Sequence, residues 1–389
     1  MAASRLSRLE ENPFVAIQAK VEALLANGRD VIRLDIGSPD LPPPPEVIEE
    51  LAQSARRHDH HGYQSHRGTA ELREAWAQFY ARLHAVKLDP ERNVLPLLGS
   101  KEGIFNLAQV WLQPGDVVLA PDPGYQTYRH GAAFAGAEVV QVPIGFGQDG
   151  GPDFSAIPQA IAERARLMWL NYPNNPSGAT VSLGVFRKAI AFARQHGVLL
   201  CHDAAYSQIT FDGFRAPSVL EVEGAQDVAL EFNTLSKSHN MAGWRTAVAV
   251  GHEEALESLL RYKACSDSGQ FRPVMDAACR AMQMEPAWIA ARNEIYADRQ
   301  SVAYAALRAL GVQLLKPKGA FYLWLPIPHG WKSAHFCEAL LDATGVCLAP
   351  GDLFGPSGEG FARLALVVPR ERLVQALDRL QAAWPLGEW

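Results

Sequence analysis

The stretch "ARLMWLNYPNNPSGATVSLGVFRKAIAFARQHGVLLCHDAAY", residues 165–206, predicts the fold of this 389-residue chain. Residues 165–172 form a short apolar run typical of a buried strand, and "VLLCH" at 198–202 forms another. The residues between them have helical periodicity, with Ser182 in the N-cap position and Gly197 at the end. A strand, a helix and a second strand in this order indicate a parallel sheet with helices on both faces.

The same alternation continues along the middle of the chain, where "DVALEFN", residues 227–233, predicts a further strand. We therefore expect a three-layer α/β/α large domain with a mostly parallel central sheet over residues 46–284. Beyond it, a long helix precedes "VQLLKPKGAFYLWLPIP", which predicts two strands around a Lys-Gly turn. A further strand and a closing amphipathic helix at 370–384 follow. This change of pattern predicts a smaller α+β domain, formed by residues 1–45 and 285–389.

Composition narrows the class of partner. Hydrophobic residues make up 48% of the chain and charged residues 20%, which suits an extensive globular core. The formal net charge is −6 and no lysine/arginine block occurs, so we expect neither nucleic acid nor an anionic membrane as a partner.

Cysteine use and the N-terminus predict a cytoplasmic location. The five cysteines are scattered and lack CxxC spacing, as reduced core residues do. The start "MAASRLSRLEENPF" has no apolar stretch of a signal peptide, and no uncharged run is long enough to span a bilayer. The one histidine cluster, His58, His60 and His61, is interpreted as a polar loop, with a metal site as the alternative. We expect no metal.

Polar side chains follow three of the predicted strands at the point where each ends. Asn175 lies in "NNPSG", Asp203 and Tyr206 lie in "DAAY", and Lys237 lies in "TLSK". Because ligands of parallel sheets bind beyond the carboxyl ends of the strands, we expect these side chains to meet at one edge.

The lysine of "TLSKSHNMAGWR", residues 234–245, has the surroundings of a reactive amine. Lys237 can attack a carbonyl only when it is neutral, and a positive neighbour together with partial burial lowers the pKa of a lysine. Arg245 is such a neighbour. Arg245, Thr234 and Ser236 also provide charged and hydroxyl donors that suit a phosphate. A lysine that forms an imine beside a phosphate site predicts pyridoxal 5′-phosphate as the cofactor.

That cofactor requires further partners, which other strand ends supply. Its pyridine nitrogen needs a buried carboxylate, and Asp203 follows an apolar strand. The ring hydroxyl group needs donors, for which Asn175 and Tyr206 are candidates. An aromatic side chain is expected to stack on the ring, with Tyr125 favoured and Tyr128 as the alternative.

The phosphate is also expected to contact the start of a helix. "LGSKEGIFNLAQVWL" places Ser100 and Lys101 directly before an apolar helix, where free backbone N–H groups bind anions.

At this point the chain resembles the class I/II aminotransferases, pyridoxal-phosphate enzymes with the aspartate-aminotransferase fold (fold type I). The resemblance runs nearly from end to end. It rests on these segments, which occur in the family's order: "IGSPDLPPP", "GYQSHRGTAELREAW", "GSKEGI", "PGDVVLAPDPGYQTY", "NYPNNPSGAT", "HDAAY", "LSKSHNMAGWR", "KGAFYLWL" and "FARLALV".

The resemblance implies ping-pong transamination between an L-amino acid and a 2-oxo acid. Lys237 would form the aldimine with the cofactor and then move the proton of the substrate α-carbon. Arg363 would bind the substrate α-carboxylate, assisted by Gly37 and Asn175. Tyr63 matches a tyrosine that reaches the phosphate of the neighbouring subunit, which implies a homodimer with shared sites.

Two alternatives remain open within this resemblance. One is a pyridoxal-phosphate-dependent C–S β-lyase, which would use most of the same residues. The other is a cofactor-binding regulator, which would need a DNA-binding domain for which the first 45 residues leave no room. The segment around Lys237 most resembles LL-diaminopimelate and alanine-type aminotransferases. No clear counterpart of the arginine that reads a dicarboxylate side chain occurs, although Arg272 lies in that region.

Overall fold

The computed structural model describes residue 6 and residues 13–147 and 149–383. The helices of this part of the chain, α1 to α13, are Pro13–Ala26, Pro45–Ala55, Ala70–His84, Ser100–Trp111, Gln126–Ala135, Gln159–Ala162, Leu183–His196, Leu235–Ser238, Glu253–Ser266, Arg272–Met282, Pro286–Ala309, Ser333–Thr344 and Arg370–Ala383. The strands, β1 to β12, are Ile32–Arg33, Val94–Leu97, Val117–Asp122, Glu138–Pro143, Ala165–Asn171, Leu199–Asp203, Ala229–Thr234, Ala247–Gly251, Tyr322–Pro326, Val346–Cys347, Ala349–Pro350 and Phe361–Ala365.

A seven-stranded sheet forms the centre of the molecule, in the order β2-β8-β7-β6-β5-β3-β4. The pairs from β4 through to β7 are parallel, and only β8 runs against its two neighbours. The predicted α/β fold with a mostly parallel central sheet is therefore confirmed. Its inner strands are buried on both faces, which agrees with the mostly apolar composition of β5, β6 and β7.

The helix between β5 and β6 has the predicted bounds. α7 ends at His196 and is capped by Gly197, whose φ of +64° is a left-handed conformation that glycine adopts without strain. Ser182 occupies the N-cap position, but its side chain makes no capping hydrogen bond. The helix therefore starts there without the stabilisation that the serine predicts.

The carboxyl ends of three parallel strands meet at one edge of the sheet. Asn171 ends β5 and pairs in register with Asp203, which ends β6, while Thr234 ends β7. Each strand then turns directly into a loop or short helix, which brings the polar residues that follow it to the same edge.

A second sheet is antiparallel, in the order β11-β12-β9, and β1 pairs with β10 in parallel. Helices α11, α12 and α13 pack around these strands, and Ile32 and Leu34 from the N-terminal part belong to the same buried cluster. The boundaries 46–284, 1–45 and 285–389 stay a prediction.

One predicted strand is wrong. Residues 312–317 form no strand, and only β9 follows the Lys-Gly turn. The backbone of this segment bonds to α11 instead: Val312 N donates to Leu307 O, and Pro317 O accepts from the Gln300 side chain at 2.9 Å. Pro317 also lacks the N–H that a ladder needs.

The closing helix, α13, is present up to Ala383, and its predicted last residue, Trp384, lies outside the described residues, as does most of the N-terminal start. Within the described ranges, no helix combines the length and apolar character needed to cross a membrane.

Candidate functional site

A cavity of about 370 Å³ lies at the edge where the three strands end. Every predicted site residue except Tyr63 lines it: Gly37, Ser100, Lys101, Tyr125, Asn175, Asp203, Tyr206, Thr234, Ser236, Lys237, Arg245 and Arg363. The ends of the parallel strands bring Asn175, Asp203 and Lys237 together, whereas Gly37 and Arg363 reach the cavity from other segments.

Lys237 lies in α8, the single turn that follows β7, and its amine points into the cavity. Its Nζ donates to Gly37 O at 2.6 Å, and Arg292 of α11 fixes its backbone by donating to Lys237 O at 2.8 Å. Burial, the positive charge of Arg363 and that of Arg245 lower the pKa of Lys237 to about 8, against a smaller opposing effect of Asp203. The amine is therefore much more often neutral at pH 7 than that of an ordinary lysine.

Asp203 is buried at the end of β6. Tyr128 donates to its Oδ2 at 2.7 Å, and Ala205 N donates to Oδ1 at 3.3 Å. Burial raises the pKa of Asp203, whereas the Tyr128 hydrogen bond and the charges of His202 and Lys237 oppose that rise. Asp203 is thus a carboxylate whose ionisation depends on its neighbours.

The two candidate stacking tyrosines have different positions. Tyr125 lines the cavity, whereas Tyr128 lies beneath it, 2% exposed and stacked on Trp169 with ring centroids 4.8 Å apart. Because one face of Tyr128 is covered by Trp169 and its hydroxyl group binds Asp203, Tyr125 is the tyrosine available to a ligand in the cavity.

One end of the cavity is rich in anion-binding groups. Ser100 and Lys101 begin α4, and the hydroxyl groups of Thr234 and Ser236 lie 2.9 Å apart beside Arg245. The turn before α4 has a conformation that favours glycine, and a side chain there would displace Arg245. Gly99 has a φ of +101°, and a Cβ there would lie 2.0 Å from Nη2 of Arg245.

Arg363 of β12 defines the other end. Its Nη1 donates to Asn175 Oδ1 at 2.7 Å, and its Nη2 donates to Asp35 O. The guanidinium group lies over the ring of Tyr322 at 4.4 Å and over that of Phe354 at 4.8 Å. These contacts hold the guanidinium group of a 4% exposed arginine at the cavity wall.

Gly37 and the tyrosines fit closely at this end. A Cβ on Gly37 would lie 2.0 Å from the Tyr322 hydroxyl oxygen, which in turn is hydrogen-bonded to Tyr206 Oη at 2.7 Å. A side chain at position 37 would therefore have to displace the Tyr322 hydroxyl group.

Two residues of interest from the sequence lie elsewhere. Tyr63 is 95% exposed, and Arg272 is paired with Asp276 at 2.7 Å outside the cavity. In the histidine cluster, His60 is hydrogen-bonded to Ser54 Oγ at 2.8 Å. The described part of the chain has no group of three or more His, Cys, Asp or Glu side chains that could hold a metal ion.

Other lining residues are absent from the sequence-based prediction. They are Phe14, Asp35, Ile36, Gln126, Asn171, Ala205, Ala242, Tyr322 and Phe354. Tyr322 carries no separate signal, because it lies among other buried aromatic and apolar residues in "KGAFYLWL". Phe14 and Phe354 carry none, because apolar residues on a helix or turn are typical of core.

The comparison with known proteins agrees with this geometry. The model of the family described as aminotransferase class I and II matches residues 29–380. The LL-diaminopimelate aminotransferase of Moorella thermoacetica is 42% identical over 379 residues, which cover 97% of each chain.

Solved structures are similar over the whole chain. The structure of BacF from Bacillus subtilis superposes with a TM-score of 0.95, at 36% identity and with 100% of both chains covered. An aspartate aminotransferase from Thermotoga maritima superposes with a TM-score of 0.91, at 27% identity, covering 98% of this chain and 99% of the other.

Proposed function

The chain belongs to the class I and II aminotransferases, and we propose from this premise which of its residues carry out the reaction and on which substrate. Enzymes of this family use pyridoxal 5′-phosphate to transfer an amino group from an amino acid to a 2-oxo acid, and this chain is a pyridoxal-phosphate-dependent transaminase. The C–S β-lyase alternative is not favoured, because the relatives named above are aminotransferases.

The residues of the cavity fit this cofactor. Arg245, Lys101 and the hydroxyl groups of Thr234 and Ser236 suit a phosphate, and Gly99 keeps open the space that a side chain would fill. Asp203 suits a protonated pyridine nitrogen, Asn175 and Tyr206 suit the ring hydroxyl group, and Tyr125 suits the ring face. When bound, the cofactor supplies an electron sink for the bonds at the substrate α-carbon.

The protein itself moves a proton and orients the substrate. Lys237 in its neutral form accepts the α-proton, which its lowered pKa permits near neutral pH. Arg363 binds the α-carboxylate through two parallel N–H groups and so fixes the α-carbon relative to the amine. The position of Lys237 in one cavity with Arg245 and Arg363 is the observation that carries the proposal.

We propose LL-diaminopimelate as the amino donor. The similarity to enzymes of that name covers 97% of the chain at 42% identity. Phe14, Ile36 and Phe354 give the cavity an apolar wall that suits the methylene chain of such a substrate. A donor panel with LL-diaminopimelate, alanine, aspartate and apolar amino acids, each with 2-oxoglutarate and pyruvate, tests this choice.

The Lys237→Ala variant is the control for that panel. It should bind the cofactor non-covalently but lose turnover with every donor; full activity in this variant would refute the assignment. A donor other than LL-diaminopimelate with a higher kcat/KM would overturn the substrate and leave the reaction in place.

We propose further that the enzyme is a homodimer in which Tyr63 completes the site of the second copy. Tyr63 is 95% exposed in the single chain, which leaves its ring and hydroxyl group accessible to a second copy. Mixing Lys237→Ala with Tyr63→Ala subunits tests this arrangement. If Tyr63 acts across the interface, each mixed dimer contains one site with both residues intact and activity returns; if it acts within its own chain, no site is intact.

We infer a cytoplasmic location from the cysteines. All five are free, and Cys201, Cys337 and Cys347 are buried. Fractionation of cells that produce the protein would test this location.

A further inference from the structure

Two polar residues lie inside otherwise apolar strands of the central sheet. His202 of β6 and Glu231 of β7 are register partners on adjacent strands, and they are 0% and 1% exposed. Nδ1 of His202 lies 2.8 Å from Glu231 Oε2. Neither residue lines the cavity, so the roles proposed above do not use them.

The partners of His202 determine its charge. Its Nε2 lies 3.1 Å from Tyr172 O, a carbonyl oxygen that only accepts, so this nitrogen carries a proton. Its Nδ1 faces Glu231 Oε2, which already accepts from Ser218 Oγ at 2.8 Å and from Val219 N at 3.0 Å. An oxygen with two other donors is poorly placed to hold the shared proton. The pair is therefore an imidazolium and a carboxylate.

Glu231 has the surroundings of an ionised group. Tyr80 donates to its Oε1 at 2.8 Å, which brings its donors to four. Burial raises the pKa of Glu231, but the hydrogen bond and charge of His202, the charge of His84 and the Tyr80 hydrogen bond together lower it. A buried carboxylate of this kind requires a buried cation, and His202 is in contact with it.

His202 precedes Asp203 in the same strand. Successive side chains of a strand point to opposite faces, so the imidazolium lies on one side of β6 while Asp203 contacts the cavity. The other polar groups that act on Asp203 are Tyr128 from α5 and Lys237 from α8, with the N–H of Ala205. His202 is the one among them that is both charged and wholly buried.

We propose that His202 is a positioning residue of the active site: held as an imidazolium by Glu231, it supplies a buried positive charge that keeps the Asp203 carboxylate ionised. This inference rests on the proposed pairing of Asp203 with the cofactor pyridine nitrogen. The positive charge of His202 is one of the effects that oppose the burial-induced rise in the pKa of Asp203.

A similar pair elsewhere provides a matched control. His84 of α3 is bonded to Glu221 at 2.8 Å and is also buried. Its charge acts on Glu231, whereas the charge of His202 acts on both Glu231 and Asp203. His84→Gln removes a histidine from the same kind of pair without removing the charge next to Asp203.

The first test measures the charge of His202 in the wild-type holoenzyme. Nitrogen-15 NMR of histidine-labelled protein reports both ring nitrogens, and the Cys201–His202 dipeptide, which occurs once in the sequence, permits the assignment. We expect both ring nitrogens to carry a proton in the holoenzyme, as their hydrogen-bond partners require. A neutral His202 would overturn the proposal whether or not any variant folds.

The second test uses cofactor labelled with nitrogen-15 in the pyridine ring. In His202→Gln the pyridine resonance should move towards the unprotonated position, because loss of the positive charge shifts the proton to Asp203. It should stay at the wild-type position in His84→Gln. An unchanged resonance in His202→Gln would refute the role of His202.

The Asp203→Asn variant distinguishes the role of Asp203 at the cofactor from the role of His202 at Asp203. If this variant shifts the pyridine resonance and His202→Gln does not, the pairing of Asp203 with the cofactor stands and only the role of His202 fails. If Asp203→Asn leaves the resonance unchanged, the proposed role of Asp203 fails and the inference fails with it.

Discussion

The lowered pKa of Lys237 leads to a quantitative prediction for the enzyme without cofactor. With a pKa of about 8 instead of 10.5, about 9% of the amine is neutral at pH 7, against about 0.03% for an ordinary lysine. Only the neutral amine is nucleophilic, and at pH 7 the reactive fraction of Lys237 is roughly 300 times that of an unperturbed lysine, so Lys237 should be acylated faster.

Competitive labelling measures this directly. Trace acetic anhydride is added to the apoenzyme between pH 6 and 11 together with a free lysine derivative, and the Lys237 peptide is quantified by mass spectrometry. Acylation of Lys237 should rise with pH and level off above pH 8, while the free derivative continues to rise to beyond pH 10. The ratio of Lys237 acylation to acylation of the free lysine derivative does not depend on the decay of the reagent.

Variants of the neighbours should move the midpoint in opposite directions. Arg363→Gln removes a positive charge and should raise the pKa of Lys237, by more than Arg245→Gln does. Asp203→Asn removes a negative charge and should lower it. A midpoint above pH 10 in the wild-type protein, or shifts of the same sign in all three variants, would refute this electrostatic account.

Two further predictions concern the ends of the cavity. Arg363→Lys keeps the charge but loses the paired N–H groups. This should reduce kcat/KM for the amino donor by roughly 10- to 100-fold, since a hydrogen bond to a charged group contributes about 1.5–3 kcal/mol. An unchanged kcat/KM in steady-state assays would contradict the bidentate role. Gly99→Ala should weaken pyridoxal phosphate binding in equilibrium dialysis, because its Cβ would displace Arg245. Gly115→Ala is the control, with a similar φ of +92° but no atom within 4 Å, so it shares the backbone strain and should keep the wild-type dissociation constant. Equal losses in both glycine variants would assign the effect to strain.

The sequence predicts most of the sheet edge because strand ends have a strong local signal. Asn175, Asp203 and Lys237 each follow a continuous apolar run, and parallel topology places such residues together without further information. The prediction of a strand at 312–317 failed for a tertiary reason, since the side chain of Gln300 takes up the backbone carbonyl of Pro317. Periodicity cannot reveal a competing partner on a distant helix.

The residues that the sequence did not predict act through contacts between remote segments. Tyr322 lies beneath Arg363 and hydrogen-bonds Tyr206, yet an aromatic residue in a strand is typical of core. His202 and Glu231 did carry a signal, as polar residues inside apolar runs. Their pairing, however, depends on the register of β6 against β7, which the sequence does not specify.

The proposed chemistry places opposing electrostatic demands on one cavity. Lys237 must be neutral to accept a proton, whereas Asp203 must be ionised. Ionised Asp203 raises the pKa of Lys237 and so favours the charged amine. Charged Lys237 is one of the groups that lower the pKa of Asp203, so a neutral lysine no longer helps to keep Asp203 ionised. Burial alone favours the neutral form of both residues. The arginines at the two ends therefore reinforce burial at Lys237, while Asp203 needs a positive charge that the lysine does not provide. A cation behind β6 meets that need, because it acts on Asp203 from the side remote from the cavity and leaves the amine free to lose its proton.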